Sequence, residues 1–149
     1  MKPYHLCFFL MFSFFSFAQE TSDLNWLTNL EEARKIAKDS NKPILLYFTG
    51  SDWCAPCKML KEDFFENPKF TEKAANMVLV LVDYPRRIDL ISEEQMAYNK
   101  ELVAKYNTKK VFPKLLFLDN KGREKGEMEG YSPLRDTQNH FKFINKFLK

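Results

Sequence analysis

The chain has 149 residues, a formal net charge of +3 at pH 7, and 45% hydrophobic and 29% charged residues. So mild a charge argues against a nucleic-acid or anionic-membrane binder, and the length suits one domain with a proper core. Three cysteines are too few for the several bridges of a disulfide-stapled scaffold.

In chain order, Lys2 precedes a nearly unbroken apolar run from Leu6 to Phe17, and Ser16-Phe17-Ala18 then offers small residues for a signal peptidase. Residues 1–18 therefore read as a secretory signal peptide cut after Ala18. The run is shorter than the roughly 20 apolar residues a spanning helix needs, so no stable membrane span is expected after cleavage. Cys7 lies at the start of the run, not at its end, and is not read as a lipid attachment site. Residues 19–149 are expected to form one domain, a monomer in the periplasm or otherwise outside the cytoplasm. Cleavage removes Lys2 and no acidic residue, leaving a net charge of about +2.

The mature chain keeps only Cys54 and Cys57. Closing so short a loop removes little chain entropy, so a bridge here stabilises the fold weakly. An export signal combined with a pair poorly suited to stapling favours redox chemistry.

Apolar residues Trp26, Leu27, Leu30, Ala33, Ile36 and Ala37 recur at helical spacing and predict a helix over 26–39, ended by Asn41-Lys42-Pro43. Ile44–Phe48 is a short apolar run after a breaker, the mark of a strand buried on both faces. A second helix is predicted from Cys54 to about Phe65, with Pro56 tolerated in its first turn. Asn67-Pro68 breaks it, and a short turn is expected near Phe70–Ala75. Met77–Val82 is the second buried strand. Ser92 with Gln95 resembles a capping box for a third helix ending near Tyr106. Leu115–Leu118 is a third strand, Asp119–Gly122 a hairpin turn, and Arg123–Glu129 the returning strand. Ser132-Pro133 is expected to cap a final helix whose apolar face includes Phe141, Ile144, Phe147 and Leu148. This order predicts an α/β domain: a mixed sheet with helices on both faces and catalytic groups beyond the carboxyl ends of the parallel strands.

The thiolate is the nucleophile of disulfide exchange, and a helix N-terminus favours it through unpaired N–H groups and the positive dipole end. Cys54 sits at such a start. Cys57, one turn on, can resolve a mixed disulfide at high effective concentration. A zinc site needs about four ligands, and the mature chain offers no third cysteine and one histidine, His140. A c-type haem needs His after the second cysteine, where Lys58 stands. No metal or cofactor is therefore expected; an inert structural disulfide stays open as an alternative.

Trp53-Cys54-Ala55-Pro56-Cys57-Lys58, placed after an apolar strand and opening a helix, resembles the active site of the thioredoxin family. The element order fits over nearly the whole mature chain, and Thr49–Cys54 resembles the exported, bacterial-envelope branch. The resemblance implies a thioredoxin-like fold, with Cys54 and Cys57 catalytic. It further implies that Pro113 is a cis-proline flanking Cys54, and that Trp53, Phe112 and Pro113 contact an extended substrate segment through the Phe112 backbone. Ala-Pro between the cysteines is closer to thioredoxin's Gly-Pro than to the His-containing dipeptides of oxidants, which implies a reductase. Disulfide-bearing or thiol-bearing envelope proteins and an upstream electron donor are the implied partners. An oxidant or isomerase, or a non-catalytic binding module, stays open.

Two departures stand out. Tyr47 occupies the strand position beneath the second cysteine where thioredoxins usually carry an acid, and Asp52 is expected on an exposed loop. Lys114 follows the expected cis-proline where the family often has Thr. The 84–91 loop looks long; Arg86 and Arg87, and Lys58, Lys61, Lys109, Lys110 and Lys114, read chiefly as solvated cations at this end. His140 and Trp26 read as helix-face residues.

Overall fold

The computed structural model describes residues 24–148. The segment read as a signal peptide lies outside them. Along the chain run β1 (Trp26–Leu27), α1 (Leu30–Ser40), β2 (Ile44–Thr49), α2 (Ala55–Leu60), α3 (Pro68–Ala74), β3 (Val78–Asp83), α4 (Glu93–Tyr106), β4 (Lys114–Leu118), β5 (Glu124–Glu129) and α5 (Gln138–Phe147). A π-helical turn, Lys61–Phe65, prolongs α2. Its wider turn brings the consecutive rings of Phe64 and Phe65 into the core together, 5.1 Å apart.

The sheet order is β1-β3-β2-β4-β5. β1, β3 and β2 are parallel, while β4 runs antiparallel to β2 and β5 antiparallel to β4. This is the expected mixed sheet. Side-chain alternation splits the core in two. On one face Leu46, Phe48, Val80 and Leu116 meet α1 and α4 through Leu30, Ala33 and Val103. On the other, Leu45, Tyr47, Leu79 and Phe117 meet α2, α3 and α5 through Leu60, Phe64, Phe70 and Ile144. No helix among the described residues is long and apolar enough to cross a membrane.

Three local expectations are corrected. Trp26 and Leu27 are not the start of α1 but a short edge strand paired with Leu79 and Val80. Asn29 separates them from the helix, its side chain accepting from the N–H groups of Glu31 and Glu32 as an N-cap. The segment after Asn67 is a helix with Pro68 in its first turn, where proline's missing N–H costs nothing. Ser132-Pro133 does not open α5. Ser132 holds an isolated turn, accepting from Leu134 N–H at its hydroxyl and from Arg135 N–H at its carbonyl. Arg135 then enters the left-handed region at φ 56°, and α5 begins only at Gln138.

Candidate active site

β2 is the central strand, so its carboxyl end lies between the ends of β3 and the start of β4. The loop leaving it tightens at Gly50, whose carbonyl accepts from both Trp53 N–H and Cys54 N–H. Cys54 is the N-cap of α2, its sulfur accepting from Cys57 N–H at 3.3 Å. Cys54 and Cys57 are joined in a disulfide.

Both cysteines are buried in this state, Cys54 at 3% and Cys57 at 1% exposure. The bridge holds the Cys54 sulfur against the first turn of α2, where it accepts the Cys57 N–H.

The Phe112–Pro113 peptide bond is cis. Its position follows from register: Phe48 at the top of β2 pairs with Lys114, the residue after Pro113. Gly130, just past β5, donates its N–H to the Pro113 carbonyl at 2.8 Å and fixes the turn from the other side. Trp53 and Phe112 meet edge to face at 5.4 Å. The structure thus gathers all five residues singled out by the sequence at one end of the sheet.

Tyr47 lies beneath α2, as the alignment of β2 required. Its hydroxyl donates to the Cys57 carbonyl at 3.1 Å. Burial pushes its pKa up to about 12, with a hydrogen bond from Thr49 acting the other way and the Asp83 charge adding to the rise. Asp83 ends β3 beside Thr49 and accepts from Ser51 N–H at 2.9 Å.

Several contributors were not legible as site residues. The Trp53 indole N–H donates to the Tyr84 carbonyl at 2.8 Å, and Tyr84 stacks on Phe112 at 6.0 Å. Gly50 is required beneath that indole: a Cβ there would lie 2.3 Å from Trp53 Cε2. Asp52 is only half-exposed, its carboxylate accepting the backbone N–H groups of Arg86 and Arg87. Partial desolvation would raise its pKa, but those hydrogen bonds and the Arg86 charge outweigh it and hold the carboxyl below its usual range. A lone Asp on a loop carries no sequence signal for such a contact.

Lys114 does not belong to an exposed basic face. It is buried, with its ammonium 2.6 Å from Glu127 and 3.5 Å from Glu129. Strand alternation explains this, since Lys114 shares a face with Leu116 and lies opposite Glu129 on β5. His140 is likewise buried, its ring between Phe64 and Tyr131. Trp26 packs on Tyr47 and Phe65 from β1.

A mixed five-stranded sheet with a Cys-X-X-Cys bridge opening the helix after its central strand defines the thioredoxin-like class of fold. The sequence profile described as Thioredoxin-like matches residues 25–120, and the chain belongs to that family. It is 35% identical over 113 residues to the disulfide bond reductase DsbH of Chlamydia pneumoniae, covering 75% of this chain and 66% of that protein. It is 31% identical over 124 residues to the thiol:disulfide interchange protein DsbD of Campylobacter jejuni, covering 82% of this chain and 20% of that one. The chain therefore spans just under two thirds of the first relative's length and a fifth of the second's. A solved structure of the DsbH oxidoreductase superposes with a TM-score of 0.70 at 31% identity, covering 84% of each chain. Within its family, the protein is related to a thiol–disulfide oxidoreductase, the DsbH reductase.

Proposed function

We propose that the protein is an extracytoplasmic thiol–disulfide oxidoreductase that reduces protein disulfides through Cys54 and Cys57. The observation that carries this reading is the bridge itself: the two cysteines are joined at the first turn of α2, after a loop bonded to the end of β3 and packed on Phe112 before β4. The relation to DsbH supports the direction, and the apolar segment before Ala18 supports export to the periplasm.

In the reduced protein the helix start favours the Cys54 thiolate. That thiolate attacks one sulfur of a partner disulfide, forming the Cys54–partner bond and expelling the partner's other sulfur as a thiolate, which takes a proton. Cys57, deprotonated in its turn, attacks the Cys54 sulfur. The mixed disulfide breaks, the partner leaves as a dithiol, and the Cys54–Cys57 bridge described above is formed. Two electrons have passed to the partner. An upstream dithiol donor returns them by the same exchange in reverse. In this reading the backbone of Phe112 pairs with an extended partner segment, with Trp53 and Pro113 bordering it.

The test is turnover. Supplied with a small dithiol, the protein should reduce disulfide-linked protein chains catalytically, and Cys57→Ser should not turn over. A Cys54–Cys57 reduction potential near thioredoxin's, about −270 mV, supports a reductase, and one near the −120 mV of a strong oxidant reverses the direction. A folded protein with no turnover in either direction would favour a binding module.

A further inference from the structure

The residue before Cys54 is held on every side. The Trp53 indole rests on Gly50, gives its N–H to Tyr84, meets Phe112 at its edge and carries the Arg86 guanidinium over its ring at 4.6 Å. The loop bearing Arg86 is equally fixed. Asp52 accepts Arg86 N–H at 3.0 Å and Arg87 N–H at 3.0 Å, so residue 86 is anchored two residues from the reactive cysteine.

The charges around this point are unequally matched. Arg87 pairs with Asp89, Lys61 with Glu66, Lys109 with Glu129, Lys114 with Glu127 and Glu129, and Arg135 with Glu62 and Asp63. The Lys58 ammonium donates to the Asp52 main-chain carbonyl, and among the described residues it makes no ion pair. Arg86 is exposed, and among the described residues its guanidinium makes no ion pair. Asp52, the carboxylate nearest in the loop, turns its oxygens to the backbone N–H groups of Arg86 and Arg87. The Arg86 fork is therefore free to take a carboxylate from a partner.

We propose that Arg86, braced on Trp53, is a specificity-determining residue that selects partner segments carrying an Asp or Glu side chain next to the cysteine attacked by Cys54. This rests on the exchange function proposed above and names its substrate class. Trp53 supplies the platform, since a guanidinium on an indole face keeps its in-plane N–H donors available at the edge. The Asp52 clamp supplies the placement.

The experiment uses three synthetic peptides, each closed by one internal disulfide and differing only in Glu, Gln or Lys beside the first cysteine. The pre-reduced, desalted protein is mixed with each at low ionic strength, and peptide thiols are counted against time. Attack forms the Cys54–peptide bond and releases the second peptide thiol; Cys57 then frees the first. The Glu peptide should react about threefold faster than Gln and about tenfold faster than Lys, the preference shrinking as salt is added. Arg86→Lys should keep the order, because the charge remains. Arg86→Glu should invert it, which a merely structural role for Arg86 would not do. Equal rates for the three peptides, or an order unmoved in Arg86→Glu, would overturn the proposal while leaving exchange itself intact. Failure of the folded, reduced protein to act on any of the peptides would remove the exchange function and this inference together.

Discussion

The hydroxyl of Tyr47 donates a hydrogen bond to the carbonyl oxygen of Cys57 at 3.1 Å. The contact ties the central strand to the active-site helix from below, at the position where an acid would otherwise lie. Tyr47 is 4% exposed and packs on Trp26 and Phe65. It acts as a buried prop for the first turn of α2, and its ionisation is correspondingly unfavourable.

That cost predicts an alkaline transition. The folded pKa of Tyr47 is raised from 10.0 to about 12, so the neutral form is the one the fold prefers. The stabilisation is full below pH 10 and is lost as pH rises toward 12. A shift of that size corresponds to about 3 kcal/mol. Urea unfolding of the oxidised protein should show its midpoint falling across this window. Tyr47→Phe should start lower, by about 1 kcal/mol for the missing hydrogen bond, and should fall less. Parallel curves for the two proteins would show that Tyr47 does not govern the transition.

His140 predicts the acid side. Burial lowers its pKa from 6.5, and the Gly130 backbone and the Asp136 charge oppose that without cancelling it. Neither ring nitrogen makes a well-formed hydrogen bond among the described residues. The neutral ring is therefore favoured in the fold, and stability should fall as pH drops below 6.5 toward the lowered folded value. No other histidine lies among residues 24–148, which makes the slope assignable. His140→Phe keeps the ring contacts with Phe64 and Tyr131 and should flatten stability just below pH 6.5. A slope retained in that variant would place the titrating group elsewhere.

Gly50→Ala should unseat Trp53. The added methyl overlaps the indole, and the chain must move to relieve it. The expected cost is roughly 1–3 kcal/mol, together with loss of the bond to Tyr84. In a Trp26→Phe background Trp53 is the sole tryptophan, so its emission should shift to the red as the ring gains water. An unchanged spectrum at unchanged stability would mean that the loop absorbs the methyl without moving the indole.

Cys57→Ser should separate attack from release. Cys54 still forms mixed disulfides, and nothing resolves them. Partner proteins from an envelope extract should accumulate as adducts on non-reducing gels and vanish on adding a reductant. Cys54→Ser should give few, because Cys54 and not Cys57 holds the N-cap position that favours a thiolate. Equal trapping by both variants would assign attack to either sulfur.

The signals that decided most of this protein are local. Asn41 reaches the left-handed region at φ 55° just where Asn41-Lys42-Pro43 was expected to stop α1, and the apolar runs after it became β2 and β3. The Cys54–Cys57 spacing marked the candidate site because a helix start acts within a few residues, and Pro113 joined it through the family resemblance. The errors arose where partners distant in the chain decide. Trp26 and Leu27 fit a helical period, but Leu79 and Val80 claim them as a strand. Ser132-Pro133 reads as a helix cap, but Arg135 reaches back to Glu62 and Asp63 and postpones the helix. Lys114 reads as a solvated cation until β5 brings Glu127 and Glu129 beside it. The sequence by itself determined the α/β order and the redox pair. Only the tertiary structure decided what surrounds that pair, because the Asp52 clamp, the Tyr47 prop and the Arg86–Trp53 stack join residues that only folding brings together.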